Sequence, residues 1–178
     1  ILTNLYSQET YANNFSISIE AQDGLLASQE PGYDLLFQNN FNILFGFKYG
    51  YPLAINANIG YFSISNSNIA ADWYRYRGYD GIKSLIGVSY SNIPFINKTF
   101  ITGFFRAGGN IAKYYYSDSY FFFPEINFGL SYPLINHAKS FVVGLGCYVP
   151  VFFRVDSTNY GFTLMMNIQW SPKGNMKL

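Results

Sequence analysis

The chain has 178 residues, enough for one domain, and only 12% of them are charged, against about 25% in a soluble globular protein. Aromatic residues make up 21%, the opposite of the balance that keeps a chain disordered. A net charge of +1 gives no electrostatic footing for nucleic acid, one Cys excludes an internal disulfide or thiolate zinc site, and one His excludes a histidine-rich metal centre; no metal or other cofactor is expected.

No apolar run is long enough for a spanning helix. The longest, Phe141 to Phe153, has 13 residues and is broken by Gly144, Gly146 and Pro150, the length of a transmembrane strand. No signal peptide is visible, and the start at Ile1 without Met is that expected of a processed or trimmed product.

Helical periodicity is nearly absent, and alternation of period 2 recurs throughout. It predicts eight strands, over 12–20, 40–49, 53–63, 82–90, 99–112, 121–132, 141–154 and 161–170. A loose repeat underlies them: Gly-x-x-Tyr, a short turn containing Pro, then a new strand. Its Tyr residues are Tyr49, Tyr90 and Tyr132, spaced 41 and 42 apart, and Trp170 follows 38 residues later. One repeat is one β-hairpin, so four hairpins give eight strands. Connections after those Tyr residues are short. On the other side two are long, 21–39 and 64–81, and two are shorter, 113–120 and 155–160. Short turns at one end and longer loops at the other suit a meander closed into a membrane barrel.

The even-numbered segments have the clearest faces. Phe41, Ile43, Phe45, Phe47 and Tyr49 oppose Asn42, Leu44, Gly46 and Lys48; Phe162, Leu164, Met166, Ile168 and Trp170 oppose Gly161, Thr163, Met165, Asn167 and Gln169. Each apolar face ends in an aromatic residue at the short-turn end, Tyr49, Tyr90, Tyr132 or Trp170, as an interfacial girdle does. The charged residues in or beside strands are Glu20, Lys48, Lys83, Arg106, Lys113, Glu125 and Arg154. All but Lys113 share the small, polar face, and Lys113 is expected beyond its strand at the loop end. A soluble barrel would need far more surface charge. A membrane barrel turns the polar face, with Gly46, Gly60, Gly87, Gly129, Gly144 and Gly146, toward a narrow lumen and keeps charge away from lipid.

Residues 11–170 thus resemble the small eight-stranded bacterial outer-membrane barrels of the OmpA, OmpX and OmpW kind: all-β, antiparallel, up-and-down, transmembrane. The most specific piece is the last segment, Phe162-x-Leu164-x-Met166-x-Ile168-x-Trp170, which is similar to the terminal signal read by the barrel-assembly machinery, with Trp in place of the usual Phe. The resemblance implies periplasmic segments at 1–10 and 171–178, outward-facing long loops, and outer-membrane lipid and lipopolysaccharide as surroundings.

Four interior charges, Glu20, Lys83, Arg106 and Glu125, fall at similar heights and are expected to neutralise one another as a structural plug or, alternatively, to line a gated path. The second loop, Asp72-Trp73-Tyr74-Arg75-Tyr76-Arg77-Gly78-Tyr79-Asp80, supplies surface-binding candidates Trp73, Tyr74, Arg75, Tyr76, Arg77 and Tyr79 for a protein, a glycan or a lipopolysaccharide headgroup. Its alternative is a loop packed on itself at the rim. Asp23, Glu30 and Asp34 form an acidic first loop, a weak signal for divalent cations. Cys147 is expected on the lipid face. His137 and Ser140 offer the residue types of a lipid A deacylase of this fold, but at the periplasmic turn, the wrong end for that substrate. The expected role is therefore non-enzymatic, structural and surface-binding, with membership of a larger envelope complex left open; the alternatives are an OmpW-like channel for small or hydrophobic solutes and a soluble ligand-binding β-barrel.

Overall fold

The computed structural model describes residues 15–27, 35–50, 52–66, 78–95, 100–115, 118–137, 141–154 and 158–171. They form eight strands: β1 (Phe15–Ala27), β2 (Leu35–Gly50), β3 (Leu53–Asn66), β4 (Tyr79–Pro94), β5 (Phe100–Tyr114), β6 (Tyr120–His137), β7 (Phe141–Phe153) and β8 (Thr158–Trp170). Each pairs antiparallel with the next, and β1 pairs with β8, so the sheet closes as a barrel.

The registers fix the lean of the strands. From Ser18, paired partners run through Leu44, Asn58, Leu85, Gly108, Glu125 and Phe152 to Asn159 on β8. Ser18 itself pairs with Gln169 on β8. The offset of ten residues between 159 and 169 is the shear, which in an eight-stranded barrel leans the strands by about 40°.

The two faces are inverted relative to a soluble protein. Ile86 and Leu164 are 67% and 61% exposed, while Glu20 and Lys83 are each 1% exposed. Apolar side chains form the outer wall, and Asn, Ser, Gln and charged side chains point into the lumen. Glycine makes room for the side chains that fill that lumen: a Cβ at Gly87 would meet the Arg106 Cγ at 2.7 Å.

Strands extend further toward the long-loop end than alternation suggested. β1 continues to Ala27, β2 begins at Leu35, β3 reaches Asn66 and β4 begins at Tyr79, leaving 28–34 and 67–78 as connections in place of 21–39 and 64–81. The reason is the interior. At that end Leu26, Leu36, Phe62, Ile64 and Tyr79 are buried inside, so the inward face turns apolar while the outward face mixes Leu25, Leu35 and Phe37 with Asp23, Asn39, Ser63 and Asp80, and the contrast that marks a strand disappears. Asp23, Asp80 and Lys113 accordingly lie within β1, β4 and β5, on the outward face, so the expected exclusion of charge from that face fails at the long-loop end. At the opposite end β6 remains paired as far as His137, opposite Phe141 after a bulge between Pro133 and Ile135; His137 ends a strand and is not a turn residue.

Candidate functional site

The lumen is built in three storeys. The lowest, at the short-turn end, is a cavity of ≈ 100 Å³ walled by Ser16, Ser18, Asn56, Ser89, Ser91, Thr102, Ser131 and Gln169, with Glu20, Phe104, Arg106 and Met165 above. Small hydroxyl side chains at inward positions leave this space because each fills less of the lumen than the residues above it.

The middle storey joins the four charged residues. Arg106 donates from Nη1 to Glu20 Oε2 at 2.8 Å and from Nη2 to Glu20 Oε1 at 2.9 Å. Lys83 Nζ stands 3.7 Å from Glu125 Oε1. Gln22 connects the pairs. Its amide nitrogen donates to Glu20 Oε2 at 2.8 Å, and its Oε1 accepts from Tyr148 at 2.8 Å, Asn40 at 3.1 Å and Lys83 at 3.5 Å. Asn127 donates to Glu125 Oε1 at 2.8 Å, and the Arg106 guanidinium lies 4.3 Å from the Phe104 ring centroid. Two acids and two bases, all buried, give a layer of zero net charge in which each charge faces an opposite one, the arrangement that offsets desolvation. The sequence reading missed Gln22, Asn40 and Tyr148; Gln22 and Tyr148 share the parity of the interior charges, which was the available signal.

The upper storey is a plug of Leu26, Leu36, Phe62, Ile64, Tyr79, Ala112, Phe123 and Phe152, with Tyr114 and Phe121 against it. Phe123 is edge-on to Phe62, Tyr79 and Phe152, with ring centroids 5.6 to 5.8 Å apart. Tyr114 stacks on Phe121 at 4.6 Å. Arg154 donates to the Tyr114 hydroxyl at 2.7 Å and lies 5.6 and 5.7 Å from the Tyr79 and Phe121 rings. Tyr79, read from the sequence as a surface-loop contact, is 2% exposed in β4 and belongs to this plug: its parity places it inward, beside Phe62.

The remaining loop candidates, Trp73, Tyr74, Arg75, Tyr76 and Arg77, lie outside the described residues, as do Glu30 and Asp34. Of the aromatic residues expected to form a girdle, Tyr90 and Trp170 are 43% and 49% exposed on the outer wall, and Tyr132 packs 5.9 Å from Phe95. Tyr49 lies at the end of β2. Cys147 carries a free thiol and faces outward between Leu130 and Leu164 in register. Among the described residues no group of three His, Cys, Asp or Glu side chains converges on a metal site.

The fold has known counterparts. Neisserial surface protein A superposes with a TM-score of 0.58 at 12% identity, covering 89% of this chain and 97% of that one. The attachment invasion locus protein Ail of Yersinia pestis superposes at 0.53 with 15% identity, covering 89% and 99%. The fold is that of the small eight-stranded outer-membrane barrels. A further structure of Ail, at 0.51 and 12% identity over 88% of this chain and 97% of that one, is its complex with the heparin analogue sucrose octasulfate. No protein-family model and no curated protein matches the sequence.

Proposed function

We propose that the protein is a non-enzymatic barrel of the bacterial outer membrane that acts at the cell surface through its extracellular loops. One observation carries this reading: the long-loop half of the lumen is filled by the aromatic plug, directly above a neutralised ion-pair layer. A lumen closed in this way offers a solute no open path, and the chemistry left to meet the outside is at the rim and in the loops. Residues 72–77, with two Arg among three aromatic side chains, have the composition of a contact surface and suit a sulfated or phosphorylated glycan, in keeping with the sucrose octasulfate held by Ail.

The test replaces residues 72–77 by a Gly/Ser linker and measures binding of sucrose octasulfate to the barrel in bilayer nanodiscs by calorimetry. Loss of binding, with the heat-dependent shift of SDS-gel mobility retained, supports the reading. Binding equal to that of the unaltered protein, or none by either form, overturns the loop as a sulfated-glycan site.

A channel is the second reading, favoured by the hydroxyl-lined cavity below Arg106. It requires conductance steps in planar bilayers that change on Arg106→Ala; a silent barrel excludes it.

A further inference from the structure

The outer wall carries a line of polar residues that its two ends explain differently. Lys113, Asp80, Ser63, Asn39 and Asp23 are direct cross-strand partners in succession, from β5 back to β1. All have outward parity; the row beneath them on the same strands is Ile111, Ile82, Tyr61, Phe41 and Ala21. The line begins in water, where Lys113 Nζ meets Asp118 Oδ1 at 2.8 Å and the Asp118 side chain is fully exposed. Along it the Tyr61 hydroxyl donates to Asp80 Oδ2 at 2.8 Å, and the Ser63 and Tyr115 hydroxyls are 2.6 Å apart. It ends at Asp23 and Asn39, both exposed. The next partner, Leu164 on β8, is apolar.

Because the strands lean, a row of paired residues is not level. With strands about 4.8 Å apart and leaning by about 40°, each step changes height by roughly 3 Å. The row therefore descends on the order of 12 Å from Lys113 to Asp23. On the opposite wall, outward positions at the depth of Asn39 are apolar: Val151 on β7 and Phe162 on β8. Leu25 and Phe37, above the lower end of the row, are exposed and apolar again. The polar residues are thus an oblique seam cut into an apolar wall.

We propose that this seam is an interaction surface for lipid headgroups of the outer leaflet, which with their water reach deeper along β1–β4 than along β7 and β8. The inference rests on the membrane-barrel reading above. Continuity with the aqueous rim supplies the path, since every step is a directly paired neighbour. Mixed charge supplies the match: Asp23 and Asp80 suit an amine or a bridging cation, and Lys113 suits a phosphate. An uncompensated Asp23 facing hydrocarbon would be unfavourable, and a headgroup path removes that burden.

The test uses spin labels on single cysteines in a Cys147→Ala background, with the barrel in phosphatidylcholine–phosphatidylglycerol vesicles. Labels at Asp23→Cys and Asn39→Cys report the seam, Phe162→Cys and Val151→Cys the opposite wall at similar depth, and Ile43→Cys the middle of the apolar belt. Collision with a water-soluble nickel chelate is compared with collision with oxygen. The seam labels are expected to meet the chelate several-fold more often than those at 151 and 162, with the label at 43 dominated by oxygen. If all five are dominated by oxygen, the barrel spans the bilayer but the seam does not exist. If 43, 151 and 162 meet the chelate as freely as the seam, the membrane reading fails and the inference falls with it. Should one seam label prevent folding, the other decides between these outcomes.

Discussion

Arg106 and Glu20 are joined by two parallel hydrogen bonds, of 2.8 and 2.9 Å, across a lumen in which both are at least 95% buried. This geometry matches the planar guanidinium to the planar carboxylate, which a Lys could not do. The other pair, Lys83 and Glu125, is looser at 3.7 Å and depends on Gln22 and Asn127 to complete its bonding. Glu20→Gln is expected to destabilise the barrel by about 3–5 kcal/mol, because it strands a buried guanidinium. Arg106→Met in the same chain should restore part of that loss. Urea unfolding in phospholipid vesicles measures both, and additive effects of the two substitutions would mean that the pair is not coupled.

The aromatic plug makes a second prediction. Phe123 contacts Phe62, Tyr79, Phe121 and Phe152, so Phe123→Ala leaves a cavity among rings that cannot close over it. A loss of about 3–5 kcal/mol is expected by the same urea measurement. The outward Phe122→Ala, which faces lipid, should cost much less. Equal effects at the two positions would contradict the inward and outward assignment.

Gly87 lies directly opposite Arg106 in the β4–β5 register, and a Cβ there would press on the Arg106 side chain and on the Phe105 carbonyl oxygen. Gly87→Val should cost about 1–3 kcal/mol through overpacking and shift the Arg106 Nε–H resonance in an NMR spectrum. A spectrum unchanged at Arg106 would show that the glycine is not what admits the guanidinium.

At the rim, the Lys113 ammonium hydrogen-bonded to Asp118 holds its carboxyl below the usual carboxylate range. A lowered pKa in the folded state means that this ion pair adds stability above the ordinary carboxylate pKa and loses it as pH falls through the lowered value. NMR titration of Asp118 should therefore show a midpoint below that of a free aspartate, and Lys113→Met should return it to the ordinary range. The side chains are exposed, so high salt should do much the same. An Asp118 midpoint insensitive to Lys113→Met would refute the contact.

Strand number, direction and the inward parity of the charged residues in the middle of the lumen were legible because one face was apolar and the other was not. Phe41, Ile43, Phe45 and Phe47 against Asn42, Leu44 and Gly46 show that contrast clearly. Legibility ended where it vanished. Leu25-Leu26 and Leu35-Leu36-Phe37 place apolar residues on both faces, so those ends of β1 and β2 looked like loop, and Tyr79, within 64–81, was assigned to the surface. The network through Gln22, Asn40 and Tyr148 depends on side chains 18 to 126 residues apart in sequence, and only registers bring them together. The outward polar row was hidden for the same reason, because no strand by itself shows more than one member of a row that crosses five.

The pairing of β1 with β8 sets a condition on how the molecule can be made. β1, made before the other seven strands, finds its second neighbour in β8, so half of its backbone N–H and C=O groups have no strand partner until residues 158–170 arrive. In hydrocarbon an open edge has no water to turn to, and a seven-stranded sheet is not a less stable version of this protein but a structure the bilayer does not tolerate. Closure is all or none: a chain cut before β8 should be degraded or remain outside the membrane instead of persisting as a leaky barrel.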